Sequence, residues 1–442
     1  MLSVSVTQKL LYSIEAGIAR TFLNFCKFIF YKKGRIMKVE ERFLNYVSYW
    51  TTSDENGTTN PTSEREFSLA RVLEQELRDM GLEKVLLSDT CYVYGFLPAT
   101  PGMENKKSIG LIAHMDTAPD FSGENVKPQI IEEYDGKDIP LPGNNSWIKV
   151  NDFPHLKNLN GDRLITTDGT TLLGADDKAG IAEIMTTIEE IKNSDIPHGD
   201  IWICFTPDEE VGMGPNSFDL DYFKADYAYT VDGAYEGDIA YENFNAASAE
   251  FNIKGVSVHP GEAKDIMVNA GLIACEIAMK LPKRETPAHT ENREGFFHLT
   301  DIYGDVVSAK LSYIVRDHDK NLFESRLNKL RTLEVEMNQK YGANTVNLKI
   351  THSYENMLSV IKNNMYVVDL AKDAIFETGL EPISSPVRGG TDGARLSFMG
   401  LPCPNLGTGG YAFHGPYEHV SVNAMERVVS ILKQIVTNPI DK

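Results

Sequence analysis

Ile109-Gly110-Leu111-Ile112-Ala113 runs directly into His114-Met115-Asp116-Thr117, an apolar stretch that ends on an imidazole and a carboxylate. Two further runs have the same form. Residues 201–205 lead into Thr206-Pro207-Asp208-Glu209-Glu210, and residues 227–231 lead into Asp232-Gly233. Short apolar runs of this kind read as buried strands. Between the first two lies a helical stretch, residues 178–192, with Ile181, Ile184, Met185, Ile188 and Ile191 forming its inward stripe. Strands alternating with helices predict an α/β domain with a mostly parallel central sheet flanked by helices. In such sheets functional side chains collect at the carboxyl ends of the strands, where all three polar clusters stand.

Toward the N-terminus, Phe43, Leu44, Val47 and Tyr49 fall on one side of a helix. Ser63-Glu64-Arg65-Glu66 reads as a capping box ahead of Phe67, Ala70, Leu73 and Leu77, with Gly81 where a C-cap glycine belongs. From about Asn245 the pattern changes. Residues 249–253, 295–302, 309–315 and 345–350 alternate like strands of a half-exposed antiparallel sheet, interleaved with helices over 266–279 and 322–340. This β-α-β-β-α-β order predicts an inserted ferredoxin-like α+β unit. Helices over 367–376 and 422–436 then resume the first pattern. The expected organisation is a discontinuous catalytic domain, 37–244 and 356–442, interrupted by a lid and dimerisation domain at 245–355.

Residues 1–36 are expected to lie outside the fold. Phe22-Leu23-Asn24-Phe25 and Phe28-Ile29-Phe30-Tyr31 are interrupted by Glu15, Arg20, Lys27, Lys32 and Lys33, which leaves no clean membrane span and no ordered signal peptide. Met37 reads as the start of the folded protein. The stretch before it is either leader translated from a misplaced start codon or an amphipathic helix for a membrane surface.

The 442 residues are long for one core, and 42% apolar with 24% charged residues excludes a fibrous or mainly disordered chain. The net charge of -20 argues against a nucleic-acid or anionic-membrane partner, which needs a cationic face. Cys26, Cys91, Cys204, Cys275 and Cys403 are odd in number and scattered, as expected for a reducing, cytoplasmic setting.

The polar clusters carry the chemistry. His114 is a good zinc ligand, and Asp116 two residues on can bond its other ring nitrogen, although an isolated H-x-D triplet is more often a satisfied core or surface histidine. Asp176 and Asp177 precede a helix, where one of them would serve as an N-cap; two carboxylates in the small-residue loop Gly174-Ala175-Asp176-Asp177-Lys178-Ala179-Gly180 can also bridge two metals. Glu209 and Glu210 can face different directions, one toward metal and one toward a proton, or form a solvated acidic loop. Asp232 ends the next strand, and His414 follows Gly407-Thr408-Gly409-Gly410 far downstream.

Taken in order and spacing, these segments resemble the metal-site motifs of the M20 metallopeptidase family. The wording of residues 206–210, of Arg388-Gly389-Gly390-Thr391-Asp392-Gly393 and of Asn292-Arg293-Glu294-Gly295-Phe296 is similar to its tripeptide aminopeptidases. The resemblance runs from Met37 to the C-terminal helix. It implies two zinc ions per subunit, with Asp176 bridging, His114 and Asp232 on one, Glu210 and His414 on the other, and a cis peptide after Asp176. It further implies that Asp116 orients His114 and that Glu209 is the general base. In the lid, His259 would reach a partner subunit's site in a homodimer, with Asn269 beside substrate. Arg316 and Arg388 are candidates to grip a peptide carboxylate, for which the guanidinium fork is suited. The implied activity is zinc-dependent release of the N-terminal residue from tripeptides. Another M20 hydrolase (dipeptidase, carboxypeptidase or amide deacylase) would share every metal residue. A catalytically silent peptide-binding protein would have no use for Glu209.

Overall fold

The computed structural model describes residues 36–442, so Cys26 and the readings of the N-terminal stretch fall outside the described residues. The longer strands, in chain order, are β1 Glu83–Leu87, β2 Val93–Leu97, β3 Ile109–His114, β4 Ile201–Thr206, β5 Tyr227–Gly233, β6 Ile239–Ala240, β7 Asn245–Lys254, β8 Phe296–Gly304, β9 Ser308–Asp317, β10 Val346–Tyr354 and β11 Asn405–Gly407. The longer helices are α1 Val39–Tyr46, α2 Phe67–Asp79, α3 Ala175–Lys192, α4 Ala270–Lys280, α5 Lys320–Tyr341, α6 Tyr366–Glu377, α7 Asp392–Phe398 and α8 Val422–Thr437.

Seven strands form the main sheet in the order β1-β2-β4-β3-β5-β11-β6. Its centre is parallel, through β4-β3, β3-β5 and β5-β11. Both flanks are antiparallel, so the sheet is mixed around its parallel centre. The central strands read as unbroken apolar runs because both faces are covered. Leu111, Ile203 and Phe205 point into a core shared with α1, α2, α3 and α8. Their neighbours Ile112, Trp202 and Cys204 point into a second cluster with Phe218, Phe223 and Leu396. Burial this complete fixes the register, since a slip of one residue would exchange the two faces.

The second sheet is antiparallel throughout, in the order β8-β9-β7-β10, with α4 and α5 packed on one side. This is the ferredoxin-like arrangement expected from the element order. Its core is separate from that of the main sheet, although Val39–Lys442 forms one compact unit.

Local differences from the sequence reading have simple causes. The helix expected from residue 266 begins only at Ala270, because Val268 bridges Val256 and Asn269 caps the helix by accepting the N–H of Leu272. The expected capping box does not form: Ser63 makes no side-chain cap, and residues 64–66 wind as a short 3-10 turn before α2. Glu66 is buried instead, with its carboxylate accepting the backbone N–H of Asp208.

Candidate metal centre

The loops at the carboxyl ends of β3, β4 and β5 meet the segment ahead of α3 and the loop preceding α8. His114 is the last residue of β3, Asp232 the penultimate residue of β5, and Glu209 and Glu210 lie in the turn after β4. Asp176 and Asp177 have non-helical backbone angles, so regular helix begins beyond them; the peptide bond between them is cis. Asp208 (φ 59°) and His414 (φ 64°) adopt left-handed backbone, which turns the chain sharply beside each glutamate and imidazole.

The two oxygens of Asp176 face two different imidazoles. Oδ1 lies 2.9 Å from His114 Nε2 and Oδ2 lies 3.3 Å from His414 Nε2. His114 Nε2 also lies 3.4 Å from Asp232 Oδ1, and His414 Nε2 lies 3.0 Å from Glu210 Oε2. The result is two imidazole–carboxylate pairs sharing one carboxylate, in a cleft of about 300 Å³. His114, Asp176 and Glu210 converge closely enough to hold one cation, as do His114, Asp177 and Asp232.

The charges are mutually dependent. Burial disfavours the charged form of His114, yet Asp232, Asp116 and Asp176 together raise its pKa well above the usual value. Bonds to Asp176 and Glu210 push His414 up to about 11. Burial likewise works against an ionised Asp176, but its two imidazole contacts hold it below the carboxylate range. Burial, reinforced by neighbouring carboxylates, raises Asp232 to about 6 and Glu210 to about 8. Crowded carboxylates with imidazole between them are what a multiply charged cation would relieve. The Glu210 Oε1 atom is buried without a hydrogen-bond partner, a lone pair free for such a cation. The nitrogen and oxygen donors therefore fit a divalent metal ion.

Supporting residues hold this arrangement. Asp116, fully buried, accepts the backbone N–H groups of Glu209 (2.9 Å) and Glu210 (3.2 Å), and its carboxylate lies 3.4 Å from His114 Nδ1. Asp177 accepts the N–H of His114. Glu418, unremarked in the sequence reading, accepts three backbone N–H groups: Leu173 (2.6 Å), Gly174 (2.9 Å) and Asp176 (3.1 Å). Asp392 is also buried; it accepts the Thr206 hydroxyl, and burial raises its pKa to about 7. Neither residue has a local signature.

The other candidates are placed differently. Arg316, on β9, lies with its guanidinium 5.1 Å from the Tyr354 ring, and Tyr354 in turn senses the charge of Glu209. Arg388 is engaged by residues 290–296. Its guanidinium donates to the carbonyls of Asn292, Glu294 and Thr290 and to the Thr290 hydroxyl, and stacks on Phe244 and Phe296. These bonds tie the segment at Arg388 to residues 290–294. His259 is exposed and, among the described residues, accepts only the Gly261 N–H, while Asn269 is used as the cap of α4. Within a single chain neither reaches the cleft.

Fold and donor set together define a metal-dependent hydrolase. The profile described as Peptidase family M20/M25/M40 matches residues 168–438. A peptidase T from Halothermothrix orenii is 51% identical over 402 residues, covering 90% of this chain and 98% of that protein. A peptidase T from Clostridium perfringens is 50% identical over 400 residues, with the same coverage. In fold, the chain is similar to the crystal structure of aminopeptidase PepT from Bacillus cereus, with a TM-score of 0.71, 23% identity and coverage of 90% of this chain and 97% of that one. It is similar also to a tripeptidase from Staphylococcus aureus, with a TM-score of 0.73, 22% identity and coverage of 91% and 98%. The chain belongs to the M20 family of metallopeptidases, in its peptidase T group.

Proposed function

We propose that this chain is a zinc-dependent aminopeptidase that removes the N-terminal residue of tripeptides. The observation that carries the reading is Asp176, whose two carboxylate oxygens serve two separate imidazole–carboxylate pairs. His114 and Asp232 would hold one zinc ion, Glu210 and His414 the other, with Asp176 between them. Bound there, zinc supplies Lewis-acid polarisation of the scissile carbonyl and lowers the pKa of a water.

The side chains supply the rest. Asp116 fixes the His114 ring through Nδ1 and, through its carboxylate, the backbone from which Glu209 projects. Glu209 accepts the proton of the attacking water and returns it to the departing amine nitrogen. Burial first, then Asp392 and Asp232, raise the Glu209 pKa well above the usual value. Arg316, beside Tyr354, and Arg388 are the candidates to meet the far carboxylate of a short peptide, at a set distance that would measure its length.

The cytoplasm fits the four described cysteines, all free, and no helix among the described residues is long and apolar enough to cross a membrane. A homodimer through the lid fits the exposed Leu272, Met279, Ile302 and Tyr303 and would give His259 a partner's cleft to enter; sedimentation equilibrium tests it. The decisive experiment offers zinc-loaded protein a matched set of free and N-acetylated di-, tri- and tetrapeptides. Rapid cleavage confined to free tripeptides is expected. Cleavage indifferent to the N-terminal block would overturn the aminopeptidase reading.

A further inference from the structure

The cleft contains an acidic side chain that the metal centre does not use. Among its lining residues are Asp176, Glu209, Glu210, Asp232 and Asp238, and no lysine or arginine. Two divalent cations would offset the first four and leave Asp238 as the uncompensated negative charge. Among the described residues no lysine, arginine or histidine pairs with it, whereas the neighbouring Glu236 is matched by Arg427.

Asp238 is also rigidly placed. It lies six residues past Asp232, in the turn that joins β5 to β6, and its own N–H donates to the Tyr235 carbonyl (2.9 Å). Its carbonyl accepts the Gly407 N–H (3.2 Å), which pins the turn to β11. That approach requires glycine at 407, where a Cβ would stand 1.8 Å from the Tyr235 carbonyl oxygen. On the other side the segment at Ile383 is laid along the turn by two backbone bonds, Ile383 N–H to the Gly237 carbonyl and Ile239 N–H to the Ile383 carbonyl. The Ser385 N–H then donates to Asp238 Oδ1 at 2.9 Å and fixes the carboxylate plane. An anion oriented in advance at the wall of a narrow cleft, without a cation of its own, is built to receive one.

We propose that Asp238 binds the α-ammonium of the peptide substrate and so sets the requirement for a free N-terminus. The proposal rests on the aminopeptidase reading given above. Burial raises the Asp238 pKa, the direction expected of a carboxylate that lacks a cationic neighbour and would gain one on binding.

The test compares the wild type with Asp238→Asn and Asp238→Ser on two substrates, a free tripeptide and its des-amino analogue, in which hydrogen replaces the α-amino group. Circular dichroism and bound-zinc content establish that each variant is folded and metal-loaded; Asp238→Ser serves if the isosteric amide perturbs the turn. Loss of a charge-assisted bond predicts a fall in kcat/KM of about 10- to 100-fold on the free tripeptide, carried mainly by KM, with the des-amino analogue changed less than about twofold. Asp238→Glu should recover part of the loss. Equal effects on both substrates, or none on either, would overturn the assignment. If instead the wild-type enzyme cleaves N-acetylated and free tripeptides equally well, the aminopeptidase reading itself fails, independently of what the Asp238 variants do.

Discussion

Removing Glu418 tests whether the metal centre is held from behind. In Glu418→Ala the backbone N–H groups of Leu173, Gly174 and Asp176 lose their acceptor in a site that is 1% exposed, too closed for bulk water to replace it. An unmatched buried donor costs about 1–3 kcal/mol, so three of them set an upper range near 3–9 kcal/mol. Part is recovered because burial, which pushes this carboxyl up to about 7, no longer has to be overcome. A net loss of about 2–4 kcal/mol is expected, together with weakened metal retention because Asp176 is one of the three donors. Glu418→Gln keeps one acceptor oxygen but turns an NH2 toward an N–H, and should cost about 1–2 kcal/mol. Urea unfolding of chelator-treated protein measures the first effect, and zinc content after dialysis the second. An alanine variant within about 0.5 kcal/mol of wild type, with full zinc, would refute the argument.

Glu209→Gln is expected to keep its zinc while turnover falls by about 10² to 10⁴, the usual worth of a positioned general base; a near-normal rate with bound metal would remove Glu209 from that role. Chelation should lower the melting temperature and zinc should restore it, since metal at 100 times its Kd contributes about 2.7 kcal/mol; scanning calorimetry with and without chelator reads this directly. His419, fully buried, has its pKa lowered to about 4 by burial, so the fold favours neutral imidazole. Its stabilising contribution, about 3 kcal/mol, is present above pH 6.5 and disappears as pH falls toward 4; acid titration of metal-free His419→Gln should show a shallower loss over that window than wild type. Gly180→Ala would place a Cβ 1.9 Å from the Val231 carbonyl and force α3 off β5, so thermal unfolding should reveal a loss of more than about 3 kcal/mol.

Much of this was legible in the chain itself. The runs ending at His114, Thr206 and Gly233 are strands because a sheet covered on both faces leaves no room for alternation. The period-two pattern after Asn245 gave the antiparallel unit, and its element order gave the topology. One local rule was overridden: Ser63-Glu64-Arg65-Glu66 has the wording of a capping box, but Glu66 is drawn inward to the Asp208 amide.

The order of motifs along the chain determines which side chains can reach a strand end, because strand direction and register follow from local pattern. It does not determine which oxygen of Asp176 meets which imidazole, nor that Glu418 and Asp392 stand behind the site. Those depend on segments 60 to 245 residues apart being brought together. Such pairings arise when helices and loops pack over the finished sheet. A carboxylate's partners are then set by the shape of the enclosed space, and no short stretch of sequence carries that shape.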